Sequence, residues 1–416
     1  MPAGFHLLIA AQFVSALADN ALLIITIALL VEQGLPGWWA PMLKFGFTVS
    51  YVVFAPFVGP LADAVPKARL MAAMNVVKLL GACALCMGLH PALGYAIVGL
   101  GAAAYAPAKY GLITEIVPAR ALVAANGWIE VSVVCAALLG TVLGGLLVSG
   151  WLVDGTAAQS VSRWLSQASD GTLGSAYMLS LAAVLLVYTT ASLLNLGVPD
   201  SGARYAPASP TLRGLCADFF SANRTLWQDA VGGLSLAVTT LFWGVGATLQ
   251  FAVLRWAGDV LKLTLDQAAY LQAAVAVGVV IGAGLAGRLV PLAAAHRVLP
   301  VGVVLGLMML LVASVESLLP AVLLLATVGA VGGVLVVPLN ALLQHRGCTL
   351  LSAGRSIAVQ GFNENASVLA MLAVYGVLIA VDVPIVPLLY GFGSLIAAFM
   401  AGLLWRQRRR RASPIR

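Results

Sequence analysis

The chain has 416 residues, of which 62% are hydrophobic and only 9% charged, and its mean hydropathy is +1.02. That balance excludes a soluble globular domain and points to a polytopic membrane protein. The net charge of +7 is not a nucleic-acid signature, because the basic residues gather in alternate loops and in the terminal run 406–411, the pattern of segments held at an anionic cytoplasmic leaflet.

A helix rising ~1.5 Å per residue needs about 20 apolar residues to cross a hydrocarbon core of ~30 Å. The first such run is 7–31, which is too long for a signal h-region and, with no Ala-x-Ala cleavage site preceding it, is expected to serve as its own anchor. Asp19-Asn20 sits at its middle, where a carboxylate costs roughly 2.5–3.5 kcal/mol unless it has a partner or a wet cavity. Such an Asp either ties two helices together or faces a polar path through the protein. The next runs are 40–62, 70–89, 93–113, 126–150 and 175–198. A second set follows at 231–256, 268–290, 298–317, 320–344, 357–381 and 383–405, making twelve predicted spans. The expected fold class is thus an all-α membrane protein of twelve transmembrane helices in two six-helix halves. The halves are 1–198 and 230–405, joined by a connecting loop at 199–229 and followed by a basic tail at 406–416.

Loop charge sets the expected orientation. With both termini in the cytoplasm, that side holds Lys67, Arg69, Arg120, Arg204, Arg213, Arg224, Arg288, Arg297, Arg346, Arg355 and the six Arg of the tail, sixteen of the 22 basic residues. The opposite side holds four, namely Lys44, Arg163, Arg255 and Lys262, and Lys78 and Lys109 lie within spans. Two loops are long. The connecting loop carries Pro199, Pro207, Pro210 and an amphipathic set of Phe219, Phe220 and Trp227. The outward loop 151–174 places Val161, Trp164, Leu165 and Ala168 at i, i+3, i+4 and i+7, a short interfacial helix that either guides lipid or acts as a spacer.

The halves repeat. Pro107-Ala-Lys109 and Asn126-Gly127-Trp-Ile-Glu130 in the first correspond to Pro338-Leu-Asn340 and Gln360-Gly361-Phe-Asn-Glu364 in the second. Pro107 and Pro338 are 231 residues apart, and Glu130 and Glu364 are 234 apart. A parallel six-helix repeat is the mark of the major facilitator architecture, whose substrate path runs between the halves. Gly59, Asp63, Lys67 and Arg69, between the second and third spans, match the loop signature of that architecture, and Asp63 is expected to cap helix ends and pair with basic residues as a gate.

Asp19, Lys78, Lys109, Glu130 and Glu364 are ionisable groups inside spans. Unpaired, they would together cost about 15 kcal/mol, comparable with the stability of a whole domain. They must be paired or hydrated. Asn75 and Lys78, Asn126 and Glu130, and Gln360 and Glu364 each share a helical face, which suggests polar faces directed at a central path. The bland reading is salt bridges that only hold the bundle together. Two ammonium and two carboxylate groups in the first half suit a zwitterionic or anionic head group better than a simple cation. Glycine-rich stretches such as 140–145 and 278–287 allow close helix approach and are not phosphate loops. No cofactor is expected. Five Cys give no disulfide framework, and Cys83-x-x-Cys86 lies in an apolar helix where a metal or redox role is not expected. The four His are neither paired for a metal nor followed by an Asp at the acyltransferase spacing, and no Gly-x-Ser-x-Gly elbow occurs, so catalysis is not expected.

The stretches 11–23, with Asp19 and Asn20, 105–111, with Lys109, and 336–344, with Asn340, resemble the bacterial lysophospholipid transporters of the major facilitator class. So do 242–244 and 358–365, the latter with Gln360 and Glu364. The resemblance runs through nearly all twelve spans. It implies movement of lysophosphatidylethanolamine and lysophosphatidylglycerol across the bacterial inner membrane to the cytoplasmic leaflet, with reacylation there by a separate acyltransferase/acyl-ACP synthetase. Two departures stand out. Gln250 occupies a position in the seventh span where the family pattern has Arg, with Arg255 nearby as a substitute at the head-group site or outer gate, and the outward loop 151–174 is long. Alternative readings are proton-coupled efflux of drugs or small amphiphiles, with Asp19, Glu130 or Glu364 carrying the proton, and a non-transporting scaffold for an acyltransferase.

Overall fold

Lipid offers no hydrogen-bond partners, so a spanning segment must satisfy its own backbone groups, and a helix does so within one run. The computed structural model, which describes residues 3–36, 38–168, 175–206, 209 and 211–412, is helical throughout its apolar runs and contains no strand among those residues. In chain order the first half contains α1 (Ala3–Glu32), α2 (Trp39–Val53), α3 (Ala55–Ala64), α4 (Lys67–Cys86), α5 (Pro91–Ile116), α6 (Leu122–Leu147), α7 (Gly150–Val153), α8 (Thr156–Ala168) and α9 (Met178–Leu196). After α10 (Leu212–Gln228) in the connecting loop come α11 (Gly232–Asp259), α12 (Leu265–Leu289), α13 (Leu299–Ala313), α14 (Leu318–Leu350), α15 (Ala353–Ala380) and α16 (Ile385–Ala412).

Ten of these helices, and α13 taken with the 3-10 turn Leu292–Val298 that leads into it, are long and apolar enough to cross a membrane, and α2 with α3, a pair bent by 63°, makes a twelfth when counted as one span. The sequence reads that span, 40–62, as one helix. The break follows from Pro56, which has no N–H and whose ring collides with the carbonyl one turn earlier, so α2 ends at Val53 and Pro56 falls in the first turn of α3. The long loop after the fifth predicted span does contain a helix, α8, and Trp164 on it is exposed, while the side chains of Val161, Leu165 and Ala168 lie outside the described residues. Pro207 and Pro210 of the connecting loop lie outside them too.

The chain divides into two compact units. One comprises Met1–Val117, Cys135–Asn223 and Leu351–Phe362; the other comprises Pro118–Val134, Arg224–Leu350 and Asn363–Arg416. Each is therefore mostly one half of the chain together with a short helical piece of the other. The first is packed around Leu22, Ile25, Leu85, Tyr95, Val98, Leu181, Val184 and Tyr188, and the second around Trp256, Leu271, Leu299, Met309, Leu325, Leu339 and Leu389.

Small residues set the closest approaches. In the first unit a Cβ at Gly140 would lie 2.6 Å from the Leu17 carbonyl oxygen, and one at Gly144 would lie 2.8 Å from that of Ala21, so α6 rests backbone to backbone on α1. In the second unit Gly278 and Gly282 on α12 and Gly329 and Gly333 on α14 interlock, each against the other helix's backbone. Two crossings are related by the repeat. Gly59 on α3 meets the first turn of α15, with a would-be Cβ 3.0 Å from Arg355 Cα, and Gly287 on α12 meets the first turn of α6, 3.2 Å from Ala124 Cα. The offsets are 228 residues from Gly59 to Gly287 and 231 from Ala124 to Arg355, in step with the repeated motifs.

Gly282→Val would push a branched side chain into the Ala330 carbonyl, an overpacking worth about 1–3 kcal/mol. The expected outcome is a clear fall in thermal unfolding temperature in detergent, whereas Gly284→Ala, on the same helix with open space at its Cβ, leaves it unchanged.

Candidate functional site

Gln12, Ser15 and Asp19 recur at i, i+3 and i+7 and so line one stripe of the otherwise apolar α1. Gln12 and Ser15 are fully buried, and the Asp19 side chain retains 16% of its exposure. Lys78 on α4, 2% exposed, donates to Asp19 Oδ2 at 2.7 Å and to Ser15 Oγ at 3.0 Å. Ser15 in turn donates to Asn75 Oδ1 at 2.7 Å. The Tyr188 hydroxyl on α9 donates to Asp19 Oδ1 at 2.8 Å, so the carboxylate receives a charged donor on one oxygen and a neutral one on the other. Lys78 Nζ also lies 5.1 Å from the Tyr105 ring centroid, a favourable distance for a desolvated cation. Lys109 on α5, likewise buried, donates to Gln12 Oε1 at 3.3 Å and lies 4.3 Å from the centroid of the Tyr110 ring. One stripe of α1 therefore meets both intramembrane lysines.

Asn75 and Lys78 sit in one network, as their spacing predicts. Asn20 does not join it. One residue beyond Asp19 it is turned about 100° away, donates to the Ala16 carbonyl at 2.8 Å and packs its Cβ beside Gly140. In the second unit Asn126 Nδ2 donates to Gln344 Oε1 at 2.9 Å, joining α6 to α14, with Glu130 buried one turn further along α6 and Asn340 buried one turn before Gln344. Gln360 is buried in the first unit, and Glu364 is half-buried in the second.

A second cluster lies at the basic end of the first unit. Asp63, on α3, accepts from the Ser352 hydroxyl, from the Gly354 backbone N–H at 2.8 Å and from the Arg355 N–H at 3.3 Å. It caps the N-terminus of α15, where unsatisfied donors and the helix dipole both favour an anion. Gly59 is what lets α15 come close enough, with Ala358 packed against Val58 and Ala104. Lys67, 4% exposed, lies 3.9 Å from Asp63 and makes a 2.6 Å ion pair with Glu115 at the end of α5. Glu115 also accepts from Ser201 Oγ at 2.5 Å and from the Tyr205 hydroxyl at 2.7 Å, both in the connecting loop, and Lys67 Nζ lies 4.8 Å from the Tyr205 ring centroid. Arg69, grouped with these by sequence, is exposed and stays out of the cluster.

Elsewhere, the Arg346 guanidinium on α14 forms a two-pronged pair with Asp229 at 2.8 and 3.0 Å and holds that carboxyl below the ordinary carboxylate range, and Asp229 also caps α11 through the Gly232 N–H at 2.7 Å. Arg204 similarly lowers the exposed Asp200 carboxyl. Arg255 pairs at 3.3 Å with Asp259, one turn along its own helix α11.

Sequence reasoning missed Gln12, Ser15, Tyr188, Glu115, Ser201, Tyr205 and Gln344. The polar stripe on α1 was readable from its spacing, and Glu115 from its place at the end of a span. The Tyr188, Tyr205 and Gln344 partnerships span long separations and left no local signal. Among the described residues no group of His, Cys, Asp and Glu is arranged to hold a metal ion.

Comparison with known proteins adds three findings. The family model described as the Major Facilitator Superfamily matches residues 8–357. Proteins named lysophospholipid transporter LplT from Escherichia coli O139:H28 and from Shigella boydii serotype 18 are each 42% identical to this chain over 408 residues, which is 97% of this chain and 96% of theirs. The solved structure of the E. coli fucose:proton symporter FucP superposes with a TM-score of 0.71 at 15% identity, over 95% of this chain and 98% of that one, a likeness of fold alone.

Two predictions test the clusters. Asp19→Asn strands the buried Lys78 ammonium and should destabilise the protein by about 3–5 kcal/mol, while the double variant Asp19→Leu/Lys78→Met, which removes both charges, should recover most of it. A double-mutant cycle read by thermal unfolding in detergent checks the coupling. Asp63→Ala removes the α15 cap, worth about 0.5–2 kcal/mol. The expected outcome is faster amide hydrogen exchange at Gly354 and Arg355, with the middle of α15 unaffected.

Proposed function

The chain belongs to the Major Facilitator Superfamily, and on that premise we propose that it is a lysophospholipid transporter. Its substrates are lysophosphatidylethanolamine and lysophosphatidylglycerol, moved across the bacterial inner membrane to the cytoplasmic leaflet. The observation that carries this reading is 42% identity, over nearly the whole of both chains, to proteins named for that substrate. The basic-residue bias of alternate loops supports an orientation with both termini in the cytoplasm.

The physical task fits the buried groups. A lysolipid has one acyl chain, which is content in hydrocarbon, and a charged head, which is not. A transporter need only supply the head with partners across the hydrocarbon; it has no bond to break. Asp19 and Lys78 are such partners, because a phosphoethanolamine head carries both complementary charges. Its ammonium replaces Lys78 at Asp19, and its phosphate replaces Asp19 at Lys78, so no charge is ever left alone. Lys109, bound to the same stripe of α1 through Gln12, supplies a second cation for an anionic head. Asn126, Glu130, Asn340, Gln360 and Glu364 extend the polar path in this reading. Asp63, Gly59 and Lys67 form the cytoplasmic gate, which opens as the halves rock. A separate acyltransferase/acyl-ACP synthetase then restores the second chain.

The test is a protection assay in proteoliposomes. Labelled lysophosphatidylethanolamine is added to the outer leaflet, and the fraction that albumin can no longer extract is followed, with and without an imposed proton gradient. The expected result is protection of the lysolipid but not of diacyl phosphatidylethanolamine, reduced at least tenfold in the charge-free Asp19→Leu/Lys78→Met protein once its thermal unfolding shows it folded. Protection no greater than in empty liposomes, by a protein shown to be folded, overturns the proposal.

A further inference from the structure

The connecting-loop helix α10 has four differently dressed sides. At about 100° per residue, Leu215, Phe219, Ala222 and Leu226 fall on one side, and Phe219, Ala222 and Leu226 are buried. The Phe219 ring meets Phe362 edge to face, with centroids 5.2 Å apart, so this side holds the helix against the protein. The neighbouring arc of about 80° carries Leu212, Cys216, Asn223, Trp227 and Phe220. Its three large apolar members are exposed by 72% (Leu212), 41% (Trp227) and 58% (Phe220). Next round the helix come the exposed Arg213 and Arg224, and the remaining side is Ser221, Thr225, Gln228 and Asp218.

A second apolar stripe has no reason to exist on a helix that faces water on every undocked side. The order docked, apolar, basic, polar is that of a helix lying along a leaflet, with its stripe at the acyl boundary, its arginines at the phosphates and its polar side in water. Depth agrees. Trp227 lies five residues before Gly232, where α11 begins, and its indole N–H donates to Asn363 at 3.0 Å, which pins an aromatic ring at the level where spans emerge. We propose that α10 is an in-plane membrane helix whose Leu212, Phe220 and Trp227 stripe inserts into the leaflet on the basic side, with Arg213 and Arg224 binding the head-group phosphates of anionic phospholipid. The inference is independent of what the protein carries.

The experiment uses the full-length protein with its five native cysteines replaced and a single environment-sensitive fluorophore attached at Phe220→Cys or, as the polar-side control, at Thr225→Cys. Each is reconstituted in vesicles of phosphatidylcholine alone and of phosphatidylcholine with 30% phosphatidylglycerol (roughly the anionic share that gives a leaflet a negative surface potential). The expected result is blue-shifted emission at position 220, quenched by bromolipids and shielded from iodide, with the reverse at 225. Phosphatidylglycerol should deepen the shielding at 220 at least twofold, and Arg213→Gln/Arg224→Gln should abolish that gain. Equal iodide access at 220 and 225 overturns the proposal. Equal shielding in both vesicle types overturns its anionic-lipid part, and shielding that grows with protein-to-lipid ratio assigns the stripe to a second copy of the chain instead.

Discussion

A charge in hydrocarbon cannot stand alone, and that constraint organises the interior of the first unit. Lys78 is 2% exposed, and its ammonium would be intolerable there without the Asp19 carboxylate at 2.7 Å. The pair in turn fixes its surroundings. Tyr188 donates to the second carboxylate oxygen, Ser15 accepts a further hydrogen bond from the lysine, and Asn75 accepts one from the serine. Helices α1, α4 and α9 are thereby held in one register by polar contacts, in a setting where burial of apolar surface gives little preference for one helix–helix packing over another. The backbone approach of α6 at Gly140 and Gly144 lies on a different side of α1, so packing and polar chemistry are segregated round that helix.

The repeat is faithful in shape and unequal in chemistry. Gly59 against Arg355 and Gly287 against Ala124 are corresponding crossings, each made possible by a missing side chain. Yet the position that matches Asp63 at the 228-residue offset is Pro291, which cannot cap a helix. The first crossing consequently carries Asp63, Lys67 and Glu115, and through Glu115 the connecting-loop residues Ser201 and Tyr205, whereas the second has no carboxylate at that place. The duplicated scaffold supplies two corresponding crossings, and the first carries a carboxylate cap. A charged cap on a helix N-terminus is released in one step when the helix draws away, while an apolar close contact yields gradually. On the proposed function the capped crossing is thus the better suited to act as the gate.

How much of this was legible in the sequence follows from the range of each interaction. The spans were readable because lipid imposes a length, and the repeat because it preserves residue types at a constant offset. The bend at Phe54 was readable in principle from Pro56, since a proline inside a helix leaves the carbonyl four residues earlier without its donor, whereas in a first turn it costs none. Asp63 as a cap was readable from its place after Gly59. The identity of its partners was not, because Ser352 and Gly354 lie almost 300 residues away. Arg69 and Asn20 show the opposite case. Each lies within two residues of a charged side chain of one of the two clusters, and the turn of the helix carries it to another side, Arg69 to solvent and Asn20 to its own backbone. Proximity along a helix is not proximity in space unless the spacing is three, four or seven.

A neutral pair is a better head-group site than a lone charge, for a reason that follows from the same constraint. Lone Asp19 would bind any cation and would be costly whenever empty. Paired with Lys78 it is inexpensive when empty, and it is opened at least cost by a ligand that returns a charge to each partner. A cationic drug would satisfy Asp19 and strand Lys78 at a cost of several kcal/mol. A phosphoethanolamine head satisfies both. A phosphoglycerol head brings only the anion, leaving Asp19 dependent on Tyr188 and on whatever hydroxyls the glycerol offers, with Lys109 to attract the phosphate instead. On the proposed function the pair therefore works as a discriminator that rejects simple cations by the charge they fail to supply, and the fit is closest for the zwitterionic lysolipid.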